Sequence, residues 1–429
     1  MGQDSPQGIS GLGVNANVHN WKGGQLKPAI HKIADLGDVT WRVIIDKADW
    51  EPARYGTPLS YDWDYYDSIY SAGKMSDLFN TIEYINSFPG QQVMINVMGP
   101  VSSWMGGNHI QPTDEDYWVR MIASMVYYGR VVRHLDFKLL GPMNEEDLNG
   151  VEGPLVGPEQ YVRLLSKLSK QLDRLGLKDI RFVAPDTAGH DRALSEYLPA
   201  LESVPALWDR IAVFGIHSYD GQTSDAADVV AQVAGRRPAT WVTEFSGPCP
   251  GCDEGAPNPA DWSSALTTAG FAVSLMQQGV SGLQFYDAWD GYYEHHASMG
   301  YWGALAYLPA TGTYSPRKSY YVLAQLIKFT PRNSFLISSS SNEVGMKWIA
   351  LRSPDGVRLT ILGVNPSDAT QRAAITLLDE RISSTLALYI TNAEKDMSQS
   401  KAVSMTSGST EVSIPPKTVF TFTGTIARQ

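Results

Sequence analysis

Two glutamates in this sequence stand where apolar runs end. Glu145 closes Gly141-Pro142-Met143-Asn144-Glu145, and Glu244 closes Trp241-Val242-Thr243-Glu244. An unpaired buried charge is costly, so the end of a buried strand has no reason of its own to collect carboxylates. Two carboxylates facing each other across a pocket suit cleavage of a glycosidic bond. One protonates the leaving oxygen and the other attacks the anomeric carbon. In that chemistry Glu145 is the acid/base, its pKa raised by partial burial and by the second carboxylate. Its neighbour Glu146 competes for the role by register. Glu244 is the nucleophile, kept ionised by Arg42 and the Tyr219 hydroxyl. Asn144 is the candidate partner of a sugar 2-hydroxyl. Asn96 ends a third run, and His217 stands beside Tyr219 at the end of a sixth. Trp104 and Trp289 are candidate platforms for the apolar face of a sugar. Asp186, Asp287 and Asp290 read either as hydroxyl binders or as helix caps.

Those residues need elements to hold them. Apolar runs recur over residues 11–18, 39–46, 91–98, 137–144, 179–186, 210–219, 239–245 and 279–290. Several are apolar without alternation, as in Val43-Ile44-Ile45, which is the pattern of parallel strands buried on both faces. Helical stripes separate them. Tyr161, Leu164, Leu165, Leu168, Leu172 and Leu175 share one face, with Pro158 in the first turn and Gly176 as the C-terminal cap. Trp118, Met121, Ile122, Met125 and Val126 share another. Strand then helix, eight times, predicts an α/β fold of the (β/α)8 TIM barrel type over residues 9–330. A doubly wound open sheet would carry a phosphate-binding glycine fingerprint after an early strand, and Gly11-Leu12-Gly13 is not one. Beyond residue 331 short alternating runs predict an antiparallel β-sandwich side domain over residues 331–429.

Composition narrows the function classes. The chain has 429 residues, 43% hydrophobic and 18% charged, enough for a large core. Its formal net charge of −11, with no basic run, argues against nucleic acid and anionic membranes as partners. No stretch reaches the apolar length of a membrane span. The first residues show no signal peptide, so the expectation is a secreted or periplasmic protein whose signal lies outside this sequence, with the cytoplasm as the alternative. Cys249-Pro250-Gly251-Cys252 reads as a local disulfide or as two free thiols. No cofactor is expected, and the chain is expected to act as a monomer. Two rival readings exist. A metal-dependent barrel hydrolase needs several histidines and carboxylates on one ion; His19 has no paired second histidine, and His295-His296 lies in a loop. A non-catalytic sugar-binding barrel is expected to lack one of the two glutamates.

The motifs also carry a resemblance. The Asn144-Glu145 pair after a fourth strand and Glu244 at the end of a seventh resemble the clan A retaining glycoside hydrolases. Ser102-Ser103-Trp104-Met105, the stretch from Ser319-Tyr320-Tyr321 to Thr330-Pro331, and Pro415-Pro416-Lys417-Thr418-Val419 are similar to family 30, with families 39 and 5 as alternatives. The resemblance implies a (β/α)8 barrel, His217-Ser218-Tyr219 as the clan's aromatic pair beside the nucleophile, and Trp289 as its strand-8 platform. It also implies a β-linked substrate: β-1,6-galactan, β-1,6-glucan, xylan, or a glucosyl or fucosyl conjugate. Glu146 departs from the clan, which often has proline after the acid/base.

Overall fold

Strands that are apolar on both faces are stable only in a sheet covered on both sides. In the computed structural model, which describes residues 4–219, 223–233, 238–257, 261–337, 345–376, 385–406 and 408–426, eight such strands close a parallel barrel. They are β1 (Gly11–Asn17), β2 (Thr40–Ala48), β3 (Gln92–Val101), β4 (Leu139–Gly141), β5 (Arg181–Thr187), β6 (Ile211–Ser218), β7 (Ala239–Phe245) and β8 (Gly282–Phe285). The ring closes where β8 pairs with β1, from Gly11 against Gly282 to Val14 against Phe285.

Two strands are much shorter than their apolar runs. Pro142 has no N–H for a ladder, so β4 stops at Gly141 and the chain turns through Met143 toward Glu145. After Phe285 the backbone leaves the ladder and crosses the barrel mouth. The N–H of Asp287 donates to the Trp302 carbonyl and that of Ala288 to Asn15, at 3.3 and 2.9 Å.

The predicted stripes face the barrel. Helix Pro158–Arg174 buries Tyr161, Leu164, Leu165, Leu168 and Leu172, and helix Glu115–Tyr127 buries Trp118, Met121, Ile122, Met125 and Val126. The aromatic segment after β2 packs on the second of these: Trp63 stacks on Tyr127 with ring centroids 4.4 Å apart.

The side domain is an antiparallel sheet facing a two-stranded one. Its order is Asp4–Ile9, Ser334–Ile337, Lys347–Arg352, Arg358–Asn365, Thr418–Thr425, Thr385–Thr391 and Ser398–Gln399, and Gln371–Thr376 pairs with Ser409–Ile414. Ala373 and Ile414 from the smaller sheet share a core with Ile361, Leu388, Phe420 and Phe422 from the larger. The strand Asp4–Ile9 was not anticipated. It pairs with Ser334–Ile337, so the side sheet takes chain from before the barrel as well as after it. Gln325, on helix Lys318–Ile327, joins the two parts: its amide donates to Thr391 at 2.6 Å and accepts from Thr421 at 2.7 Å. Both ends of a buried amide are thereby satisfied.

Candidate active site

Alternation along a strand decides which residues enter the barrel. On β2, Trp41 packs against Trp289 and donates to Gln91 at 2.8 Å, while Arg42 points the other way into the barrel. Its guanidinium is fully buried and gathers side chains from around the ring. One terminal nitrogen donates to Asn15 Oδ1 at 2.7 Å and to Glu244 Oε1; the other donates to Asn144 Oδ1 and, at 2.8 Å, to Asp186 Oδ2. Burial opposes the charge, but the Asp186 and Glu244 carboxylates outweigh it and raise the Arg42 pKa above its ordinary value. Burial likewise opposes ionisation of Asp186, yet Arg42, with His217 and Thr243, brings that carboxyl down to about 2. Asp186 is therefore an anionic brace beneath the pocket, with Thr243 and Asn96 also donating to it.

Glu145 and Glu244 stand above this brace. Glu145 has a left-handed backbone, φ +40°, a sparsely populated conformation for a residue with a side chain. Its N–H donates to the Asp186 carbonyl at 2.9 Å. Its Oε1 lies 2.7 Å from His217 Nδ1, which is also 3.6 Å from Glu244 Oε2. Tyr219 donates its hydroxyl to Glu244 Oε2 at 2.6 Å. One oxygen from each carboxylate and the His217 nitrogen all lie within 4.8 Å of one another. Burial raises the Glu145 pKa; His217 opposes that shift, and the Glu244 and Glu152 charges add to it. His217 is raised well above the usual imidazole value even though burial opposes its charge, because Glu244, Asp186 and Glu145 surround it. The result is a buried imidazole whose charged form is favoured, touching the Glu145 carboxyl and 3.6 Å from those of Glu244 and Asp186.

The structure thus brings Arg42, Asn144, Glu145, His217, Tyr219 and Glu244 into one cluster. Asn144 spends its amide on protein: besides Arg42, it donates to the Glu152 carbonyl at 3.0 Å. Gly153 makes that approach possible, since a Cβ there would lie 1.6 Å from the Asn144 carbonyl oxygen. Two expectations need correction. Trp289 is not a platform. It is fully buried, its indole donating to the Asn17 carbonyl at 3.0 Å and its ring packed on Trp41. The run 279–290 is not all strand: β8 stops at Phe285, and Trp289 lies four residues beyond its end. Asn96 is wholly buried below the pocket and donates to Asp186 at 3.1 Å, which makes it a support with no surface for a ligand. Trp104 is half-buried over the loop after β3, donating to the Glu51 carbonyl at 2.8 Å and meeting Tyr117 and Arg54. Its described contacts include neither glutamate. The aromatic wall beside Glu244 is instead Tyr219, Tyr286 and Trp302, with Trp302 centred 5.8 Å from Tyr219 and 6.1 Å from Tyr286. Tyr286, directly after β8, was legible only once the end of that strand was known.

Glu146 turns away from the pocket into the core. It is fully buried, and Oε1 accepts from the Asp186 N–H at 3.3 Å. Burial, reinforced by the Asp147 and Asp186 charges, pushes its carboxyl up to about 8. In the folded chain the group keeps its proton at neutral pH, whereas in the unfolded chain it ionises near the ordinary 4.5. Its contribution to stability is therefore fully present below the unfolded pKa and is lost as pH rises toward about 8. Glu146→Gln keeps the shape and cannot ionise. It is predicted to gain on the order of 3 kcal/mol over the wild type near pH 8 and little near pH 4. Urea denaturation at the two pH values checks this, and parallel behaviour of the two proteins would refute it.

No family model matches the chain, and no curated protein matches it in sequence. Its fold does match solved structures along its whole length. A GH30 endoxylanase from Clostridium papyrosolvens aligns with a TM-score of 0.75 at 15% identity, over 98% of each chain. An endo-β1,6-glucanase aligns with a TM-score of 0.70 at 13% identity, over 99% of this chain and 93% of that one. A GH39 β-xylosidase from Caulobacter crescentus aligns with a TM-score of 0.63 at 13% identity, over 99% and 98%. The chain has the barrel-and-side-sheet fold of these GH30 and GH39 glycoside hydrolases.

Proposed function

We propose that the protein is a retaining glycoside hydrolase acting on a β-linked glycan, with Glu244 as nucleophile and Glu145 as acid/base. The observation that carries this reading is the approach of one Glu145 oxygen and one Glu244 oxygen to within 4.8 Å across His217. Retaining enzymes hold their carboxyl groups about 5–5.5 Å apart, whereas inverting enzymes leave roughly 6.5–9.5 Å for a water. In the first step Glu244 bonds to the anomeric carbon while the glycosidic C–O bond breaks, and Glu145 gives its proton to the departing oxygen. In the second step a water adds to the same carbon as the bond to Glu244 breaks, and Glu145 takes the water's proton. Arg42 and Tyr219 hold the Glu244 carboxylate in place. His217 orients Glu145 through its ring nitrogen. Burial of Glu145 favours the protonated form that the first step needs.

The substrate class rests on likeness. The similar structures include xylanases and an endo-β1,6-glucanase, so xylan and β-1,6-linked glucan head the panel, with the β-1,6-galactan that the sequence motifs imply beside them. Tyr286 and Trp302 offer a wall beside Glu244 for the apolar face of a sugar. We also take the protein to act as a monomer outside the cytoplasm. The pairing of Cys249 with Cys252 supports an oxidising compartment. No described helix is long and apolar enough to cross a membrane.

Proton NMR of the first product from these glycans tests the mechanism. The β-anomer is expected before mutarotation; an α-anomer would overturn the retaining assignment. Saturable glycan binding with no turnover across the panel would favour a sugar-binding barrel instead.

A further inference from the structure

A second constellation of ionisable groups forms on the far side of Glu152, built by residues distant in sequence. His19 follows β1, Asp46 lies near the end of β2, Glu152 lies after β4, and His295 and His296 lie after β8. His295 is almost wholly buried. Its Nδ1 is hydrogen-bonded to the fully buried Asp46 carboxylate. Its Nε2 lies 2.7 Å from Glu152 Oε2, yet no described acceptor has the alignment of a hydrogen bond to it. His296 Nε2 lies 3.1 Å from the other oxygen of the same carboxylate. One donor atom from each of Glu152, His295 and His296 falls within 4.8 Å of the other two.

Two imidazole nitrogens and one carboxylate oxygen are the donors of an open three-ligand site for a borderline transition ion. Soft sites use thiolates, and hard calcium or magnesium sites use oxygen alone. Metal-bound histidines characteristically give their second ring N–H to a carboxylate, which fixes the tautomer and aims the other nitrogen at the ion. Asp46 does this for His295. Without an ion, the buried His295 Nε2 has no well-directed hydrogen-bond partner among the described residues. We propose that Glu152, His295 and His296 form a binding site for a divalent first-row transition ion, zinc being the reference, with Asp46 holding His295 in register.

The site has a route to solvent, because the His296 and Glu152 side chains are 28% and 22% exposed. Its position gives it a task. The Glu152 carbonyl receives the Gly99 N–H at 2.7 Å and the Asn144 amide at 3.0 Å. An ion bound here ties the loop after β8 to the segment that touches Asn144, pinning two loops across the barrel mouth. Histidines bind an ion only as neutral imidazoles, so zinc uptake releases protons and weakens as pH falls.

The test is calorimetric titration of zinc chloride into EDTA-treated, dialysed full-length protein near pH 7.5, repeated in buffers of different ionisation enthalpy. The expected result is one saturable ion per chain, released protons and a raised Tm. His296 is part-exposed, so His296→Ala should fold, as circular dichroism will show, and should lose the binding. Asp46→Asn should weaken it about 10–100-fold. The cluster Glu145, His217 and Glu244 could also hold an ion, so Glu145→Gln is the control and should bind zinc as the wild type does. The proposal is overturned if the wild type shows no saturable binding, if His296→Ala binds undiminished, or if Glu145→Gln abolishes binding. The first two outcomes leave the hydrolase reading untouched; loss of binding in Glu145→Gln would put the ion between the two catalytic carboxylates and count against that reading, which product stereochemistry tests separately.

Discussion

Glu244→Gln is expected to lower turnover on the order of 10⁴-fold, the scale reached when one member of a catalytic unit is removed. The side chain keeps its size; its amide oxygen can still accept from Arg42, and its NH2, in the place of Oε2, can donate to the Tyr219 hydroxyl oxygen, so folding should be little affected. What is lost is the anionic oxygen that must bond to carbon. Glu145→Gln should differ in kind. With a poor leaving group the loss is about 10²–10⁴-fold, because the departing oxygen receives no proton. With an activated aryl glycoside the first step needs no acid, so the aryl group should leave in a fast burst followed by slow release of the sugar. The pH profile separates the roles further. The Glu145 pKa is raised, so its protonated form persists above the ordinary carboxyl range and activity falls as pH rises through that raised value. Glutamine has no proton to lose, and the alkaline limb should vanish in Glu145→Gln. Steady-state and burst kinetics on both substrate types measure all of this. Near-normal turnover by Glu244→Gln on any cleaved glycan would remove the assignment.

Arg42→Met should be the most destabilising single change in the barrel. It deletes the cation shared by Asp186 and Glu244 and leaves both carboxylates in a site almost without solvent. Breaking a buried pair by removing one partner costs about 3–5 kcal/mol, because the remaining charge is uncompensated. The sign with pH follows from Asp186. Its folded pKa, about 2, is depressed below the ordinary 3.8, so its stabilising contribution is present above the unfolded value and lost as pH falls through the folded one. Without Arg42 the depression disappears, and a protonated Asp186 becomes the preferred form. The deficit of Arg42→Met should therefore be largest near neutral pH and shrink as pH falls below about 4. Arg42→Lys should sit between, since an ammonium keeps the charge but cannot span Asn15, Glu244, Asn144 and Asp186 with one planar fork. Urea denaturation of the three proteins at neutral and acid pH decides the matter; equal midpoints at neutral pH would show that the network carries no net stability.

Much of the barrel was legible because its signal is local. A strand buried on both faces must be apolar throughout, and a helix covering it must be apolar every three or four residues. Each pattern is complete within a dozen neighbours. The ends of β4 and β7 were legible for a related reason. Carboxylates are rare at buried positions, so Glu145 and Glu244 stood out, and the barrel's connectivity puts the ends of those strands on one face. Trp289 failed on a local ambiguity. Tyr286 and Trp289 both follow an apolar run, and only the hydrogen bonds leaving the ladder after Phe285 tell which one reaches the mouth.

Other features have no local signal. The strand Asp4–Ile9 looks like a disordered start until it meets Ser334–Ile337, more than three hundred residues later. Glu146 and Glu145 are chemically identical neighbours. Sequence order makes them alternatives, and the left-handed turn at Glu145 sends one side chain to His217 and the other into the core. His19, Glu152, His295 and His296 sit in loops after three different strands and Asp46 on a fourth strand, and each alone reads as an ordinary polar residue. Closing the barrel makes them neighbours, because a ring of parallel strands gathers onto one rim segments that the chain visits hundreds of residues apart. Which residues can form strands and helices is set by nearest neighbours along the chain; which charges meet is set by that closure.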